Sequence, residues 1–251
     1  IGLFWLRDDF RISKNNGLTE ATANHDQVVV FYLYKKLTYK YQEAQKWWLS
    51  KSLINFRKNL EKFNINLEII KIESFKIFFE KLFKKNDFSL YWNKVYEPDY
   101  LKFDEYLVKN FKNKNILYKI CKGNTLNEIH EIKKNDGTPF KVFTPFWRTA
   151  ERYYIEKIPT KEKLIKKCLK NKNYFQNSIN PQEILPNNNW FENFKNLWLP
   201  SEENALKELR NFIKNKITNY SDSRNFPNII GTSKLSPFIK FGQIHVETIW
   251  N

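Results

Sequence analysis

Methionine is absent from this 251-residue sequence, and cysteine (2), histidine (3), glycine (6) and proline (9) are scarce. Cys121 and Cys168 lie far apart and form no CxxC pair. That excludes a disulfide scaffold and a thiolate metal centre, and it points to a reducing, cytoplasmic compartment. His25, His130 and His245 show no ligand spacing, so no metal site is expected. Few glycines and prolines exclude collagen-like and linker-dominated chains. They also exclude two phosphate loops, because no glycines are close enough to build GxGxxG or GxxxxGK[ST]. No apolar run approaches ~20 residues and no signal-like segment opens the chain, so no membrane association is expected. The chain opens at Ile1 without Met and stops at Trp250-Asn251 inside an amphipathic segment, which gives the expectation of a piece of a longer, monomeric protein.

What is plentiful is positive charge. Lys and Arg number 43 against 27 Asp and Glu, a formal net charge of +16. Such an excess favours a polyanionic partner, most simply nucleic acid, although A- and T-rich codons would also raise Lys. Apolar residues make up 41%, enough for a packed core. Over the first ~120 residues, strand and helix patterns alternate, the signature of βαβ units and a parallel sheet. Strands are expected at Gly2–Leu6, Gln27–Tyr34, Asn66–Lys71, Phe88–Asn93 and Asn115–Ile120. Helices are expected at Leu18–Ala23, Tyr41–Phe63, Phe75–Lys85 and from Pro98, the second carrying Trp48, Ser52, Phe56 and Leu60 on one face. The fold class is therefore α/β, a doubly wound parallel five-stranded sheet.

After Gly123 the alternation stops. Thr144–Glu156 and Glu202–Ile217 read as helices, with Thr144 as N-cap and Pro145 at the first helical position. Thr160–Pro200 is rich in Lys and Asn, is broken by prolines, and reads as a long connection. The expected division is residues 1–125, a connection over 126–200, and the start of an all-α domain over 201–251.

Three stretches carry chemistry. Arg7-Asp8-Asp9-Phe10-Arg11 follows the first strand, where α/β folds bind ligands, but salt bridges that merely fix the loop explain it as well. The aromatics of Phe143–Trp147 suit interface packing. Thr232-Ser233-Lys234-Leu235-Ser236 offers three hydroxyls and a lysine where an amphipathic helix is expected to start and continue through Phe238, Ile239 and Gly242. Such a start suits a phosphate, or simple N-capping.

Together these blocks become distinctive. They are Trp5-Leu6-Arg7-x-Asp9-Phe10-Arg11 with Asn15 and Leu18; Trp48-Leu49 with Ser52-Leu53; and Tyr96-Glu97-Pro98. Then come Gly137-Thr138-Pro139-Phe140 running into Val142–Trp147, and Tyr220-x-x-x-Arg224-x-Phe226-Pro227 followed by Gly231-Thr232-Ser233-x-Leu235-Ser236-Pro237 and Phe241-Gly242. In this order they resemble the DNA photolyase/cryptochrome family, and within it a class I cyclobutane pyrimidine dimer photolyase. Lys14, Phe103, Asp99-Tyr100 and His245 depart from the family's usual residues.

The resemblance implies an α/β antenna domain followed by a helical domain that holds a U-shaped FAD. It implies a carbon-carbon lyase that repairs pyrimidine dimers in DNA by light-driven electron transfer, and a second antenna chromophore of folate or deazaflavin type. By position, Tyr220 would pack beside the FAD, Thr232, Ser233, Lys234, Leu235 and Ser236 would hold its diphosphate region, and Arg224 would meet a DNA phosphate. Catalytic residues are expected downstream of Asn251, which would leave the chain alone inactive. The apolar faces of Leu206, Leu209, Phe212, Ile213, Phe238, Ile239 and Phe241 are then expected to lack partners. A cryptochrome-type blue-light receptor and a nucleotide-binding α/β protein without photochemistry are the alternative readings.

Overall fold

The computed structural model describes residues 1–35, 42–85, 87–128, 130–156, 164–170, 173–187 and 189–251. Five parallel strands form a sheet of order β3-β2-β1-β4-β5. They are β1 (Gly2–Leu6), β2 (Val28–Lys35), β3 (Asn66–Ile72), β4 (Ser89–Asn93) and β5 (Tyr118–Cys121). Central β1 is buried along its whole length, running from Gly2↔Val28 to Leu6↔Tyr32 against β2 and from Gly2↔Ser89 to Trp5↔Trp92 against β4. A strand with neighbours on both edges and helices on both faces has no wet side, which is why Leu3-Phe4-Trp5-Leu6 shows no polar alternation.

Helices α1 (Asn16–Asn24) and α2 (Glu43–Glu61) cover one face, and α3 (Phe75–Leu82) and α4 (Pro98–Lys114) the other. Trp48, Ser52, Phe56 and Leu60 on α2 are all buried, as their spacing of four requires. The expected start of that helix, Tyr41, lies outside the described residues. Pro98 opens α4, and Asn115 ends it in the left-handed region (φ 54°), so β5 starts at Tyr118 rather than at Asn115. Helix α3 stops at Leu82 rather than Lys85. Helix α5 (Phe143–Glu156) takes Thr144 and Pro145 into its first turn, so Thr144 is not its N-cap.

Beyond α5 lie α6 (Phe194–Leu197), α7 (Glu202–Asn215), α8 (Tyr220–Ser223), α9 (Ser236–Lys240) and α10 (Val246–Trp250). The expected start of the connection, Thr160, lies outside the described residues, but the described parts are docked. Cys168 N–H donates to the Phe63 carbonyl, Leu169 N–H to that of Asp26 and Ile179 N–H to that of Ile69, each at 2.8 Å. The buried Glu68 carboxylate accepts the N–H groups of Tyr174 (2.8 Å) and Phe175 (2.7 Å).

The apolar faces after residue 201 find partners, against expectation. Leu209, Phe238 and Phe241 are buried, with Leu206 and Ile239 packed against the same cluster that holds α2 and β2. Trp48 is the anchor: its ring lies 5.0 Å from Phe238, 5.5 Å from Trp198 and stacked 6.2 Å from Phe241. Phe212 meets Tyr220 at 5.4 Å, while Ile213 is 52% exposed. The sheet domain itself supplies the missing wall, since α2 residues such as Trp48 share one buried cluster with Leu209, Phe238 and Phe241.

Candidate functional site

The loop after β1 is a buried polar frame. Arg7 lies with its guanidinium 3.9 Å from the Trp5 ring centre, and it forks onto Asp104 of α4 through Nη1 to Oδ2 (3.2 Å) and Nη2 to Oδ1. Asp9 accepts the Arg7 N–H (3.0 Å) and the Asn93 amide. Burial pushes the Asp9 carboxyl upward, against the opposing pull of Arg11. Asn93 also donates to Asn15 (2.8 Å) and accepts the Gly17 N–H (2.8 Å), while Asn15 caps α1. Arg11 reaches the Gly242 carbonyl (2.9 Å) and that of Lys14 (3.1 Å). Of the two readings of this motif, the structure supports the one in which its charges fix the loop.

The frame also fastens the last fifty residues. Gly242 has φ +58° and a Cβ there would strike the Asp8 carbonyl, so the position requires glycine. Gln243, buried in the α2 interface, accepts the Trp48 indole N–H (2.9 Å) and donates to Ser52 Oγ (3.1 Å). Glu202 at the start of α7 accepts the N–H groups of Ile12 (2.7 Å) and Ser13 (2.9 Å). His245 holds Gly123 O through Nε2 (3.4 Å) and accepts Glu247 N–H on Nδ1 (3.1 Å), which fixes a neutral imidazole. Burial, then Arg11, lowers its pKa to about 4. The nearby Glu247 carboxylate lies 3.9 Å from Nδ1, but that ion pair would need a protonated ring, and the backbone bond argues for the neutral one. Sequence reading passed over Gln243 and Glu202, since neither belongs to a periodic pattern.

The departures from the family pattern are structural as well. Phe103 packs edge-on to Trp5 at 6.1 Å, and the Arg7 guanidinium lies between the rings of Trp5 (3.9 Å) and Tyr100 (5.0 Å), which are 6.4 Å apart.

The second region, residues 220–236, is built differently. Gly231 is seated so closely against Ser223 that a Cβ would overlap its hydroxyl, which joins the turn 231–235 to α8. The expected long helix does not form. Lys234 adopts a left-handed conformation (φ 56°), so α9 begins only at Ser236, and Gly242 marks the chain's departure from it. Leu235 is buried and anchors the turn. Thr232 and Ser236 are exposed and Ser233 half-buried. Among the described residues, the backbone N–H groups of Thr232, Ser233 and Lys234 and the hydroxyls of Thr232 and Ser236 make no hydrogen bond. Ser233 Oγ accepts only a long bond from Leu235 N–H (3.4 Å). The Lys234 ammonium stands 5.8 Å from the Trp198 ring centre.

Beside this turn, Ser223 Oγ is buried without a partner. Tyr220 and Arg224 are exposed, with the Arg224 guanidinium 5.6 Å from the Tyr220 ring centre. Unused donors, a cation and an aromatic ring on adjoining segments fit an anionic ligand with an aromatic part, the chemistry of a dinucleotide cofactor. Among the described residues no group of three or more His, Cys, Asp or Glu side chains could hold a metal, and no helix is long and apolar enough to cross a membrane.

Comparison with known proteins bears on both regions. The family model described as DNA photolyase matches residues 2–163. A deoxyribodipyrimidine photo-lyase of Agrobacterium fabrum is 28% identical over 99% of the chain and 52% of its own length. Cryptochrome-2 of Arabidopsis thaliana is 25% identical over 99% of the chain and 42% of its own length. The chain thus spans about half the length of the curated photo-lyases it matches. Among solved structures, a bacterial class III photolyase from Agrobacterium tumefaciens superposes with a TM-score of 0.86 at 27% identity, covering 99% of this chain and 52% of that one. The class printed for that neighbour differs from the class I pattern suggested by the sequence motifs. With the family model matching residues 2–163, the whole sheet domain and well over half of the chain, the chain belongs to the DNA photolyase family.

Proposed function

We propose that this chain is part of a deoxyribodipyrimidine photo-lyase that binds FAD and repairs cyclobutane pyrimidine dimers in DNA. The observation that carries the reading is the Gly231–Ser236 turn, in which the N–H groups of Thr232, Ser233 and Lys234 and the hydroxyls of Thr232 and Ser236 are left unused among the described residues of a chain of this family. Thr232, Ser233 and Ser236 would donate to the diphosphate, with Lys234 supplying charge and Leu235 its backbone. Tyr220 would lie against the cofactor's aromatic portion. When bound, FAD supplies the light-driven electron chemistry that opens the dimer. Arg224, exposed and without an ion pair among the described residues, would meet a DNA phosphate. A second chromophore of folate or deazaflavin type belongs to the same reading, as do class I assignment and monomeric, cytoplasmic action. The similarity to cryptochrome-2 over 99% of the chain supports a second reading, a flavin photoreceptor.

Flavin titration followed by fluorescence tests the turn. The double change Thr232→Ala, Ser233→Ala should weaken FAD binding by about 1–3 kcal/mol for each bond lost to a charged group. Unchanged affinity would show that these hydroxyls hold no phosphate. Light-driven dimer repair by the flavin-loaded longer protein of which this chain would be a part separates the lyase from the photoreceptor.

A further inference from the structure

We infer that the edge of the sheet opposite the flavin turn is a second surface for the phosphate backbone of nucleic acid. In a parallel sheet every connecting helix returns antiparallel to the strands, so helix C-termini gather at the strands' N-terminal edge. Here α2 delivers Lys58 and Lys62 to that edge, the end of α3 delivers Lys84 and Lys85, and α4 delivers Lys112 and Lys114. Phe83 and Phe111 touch at 5.2 Å, and Asp87 and Asn115 line one surface depression, so the last two helix ends are adjacent.

The connection then adds a fourth group to the same edge. Lys166 N–H donates to Thr22 Oγ1 (3.2 Å), and the Leu169 and Cys168 bonds to Asp26 and Phe63 carry the chain past the starts of β2 and β3. Ile165 and Cys168 are buried as anchors, which leaves Lys166, Lys167 and Lys170 exposed.

All nine lysines are exposed, and none has an ion pair among the described residues. The carboxylates on these helix ends and loops are Asp26, Glu61, Glu80 and Asp87, and Lys85 also lies 4.4 Å from the Tyr174 ring centre. A lysine or two at a helix C-terminus answers the helix dipole, but three in the irregular 164–170 segment have no dipole to answer. Five strands spaced ~4.8 Å apart make this edge about 20 Å long, room for roughly six base pairs at ~3.4 Å each. The exposed apolar residues there, Leu117, Leu164 and Leu169, are single side chains rather than an inserting aromatic face, which favours a polynucleotide over a lipid surface. The inference rests on neither the flavin turn nor Arg224, whose side of the molecule is fixed to the carboxyl end of β1 through Gly242 and Arg11.

The test is fluorescence anisotropy of the whole chain, free of flavin, on an undamaged labelled duplex from about 50 to 200 mM salt. Lys166→Glu, Lys167→Glu, Lys170→Glu should lower affinity at least tenfold and reduce the salt slope by about 0.9 for each lysine that meets a phosphate. Lys84→Glu, Lys85→Glu should act in the same direction. Lys76→Glu, Lys102→Glu near the starts of α3 and α4, at the opposite end of those helices, makes the same charge change as the latter pair and should cost less than threefold. Equal loss in that control, or no loss in the edge variants, overturns the inference. So does an edge variant that loses binding to phosphatidylserine vesicles but keeps the duplex. The Lys→Gln triple, checked by circular dichroism, repeats the test should the Glu variant unfold.

Discussion

The β1–α1 loop and the Thr232–Ser236 turn are both short polar stretches beside the same aromatic cluster, and they use their polar groups in opposite ways. In the loop, Arg7, Asp9 and Arg11 are buried and each is matched, to Asp104, to Asn93 and to the Gly242 carbonyl. In the turn, the N–H groups of Thr232, Ser233 and Lys234 and the hydroxyls of Thr232 and Ser236 have no hydrogen-bond partner among the described residues. Burying an unmatched charge costs several kcal/mol, so a charged loop folded into a core has to be answered inside it. An exposed turn carries no such demand and keeps its donors for a ligand. Polar residues at a site therefore separate by commitment rather than by type.

The comparison can be broken most forcefully at Arg7. Arg7→Ala leaves the Asp104 carboxylate buried and alone and should cost about 3–5 kcal/mol in urea unfolding. A loss below about 1 kcal/mol would mean the frame is decoration. Acid should act next. The neutral His245, held at about 4 in the folded chain against an ordinary 6.5, contributes stability that is complete above pH 6.5. That contribution is lost as pH falls towards 4, on the order of 3 kcal/mol, because the unfolded chain takes the proton more readily. Glu247, held below the usual carboxylate range by Lys122, adds a loss of the same sign at lower pH. Melting temperatures from pH 7 to 4 should fall less steeply in His245→Gln.

Gln243→Leu should cost about 1–3 kcal/mol by stranding the Trp48 indole N–H, and near-wild-type urea midpoints would show that this N–H finds another acceptor. At the opposite end of the scale, Thr232→Ala, Ser233→Ala should change stability by less than about 0.5 kcal/mol, whatever it does to flavin. A large loss there would make the turn a second frame and erase the contrast.

How much of this could be read beforehand follows from the range of the forces involved. The Trp48–Leu60 stripe announces itself because burial repeats with the helical period, and Val28–Lys35 because a strand covered on both faces is an unbroken apolar, β-branched and aromatic run. The hydroxyl-rich turn was legible as a motif, but not its shape, since the left-handed Lys234 is not a residue that signals a break. Arg7 and Asp104 lie 97 residues apart and Trp48 and Gln243 195 apart, so only the folded chain pairs them. For the same reason the sequence of the connection shows only a long Lys- and Asn-rich stretch, while the fold has Glu68 grip it.

That grip has a consequence for the company the protein keeps. An open sheet ends in two strands whose outer backbone groups are templates for a stranger's chain. On the β3 side, Ser178 pairs with Ile70 and Glu68 holds Tyr174 and Phe175, so a stretch of the protein's own chain already occupies part of that template. On the other side β5 is only four residues long, from Tyr118 to Cys121, with Lys119 exposed on it. One border is partly occupied and the other offers only four residues, which limits the template a five-stranded sheet presents for growth into an aggregate.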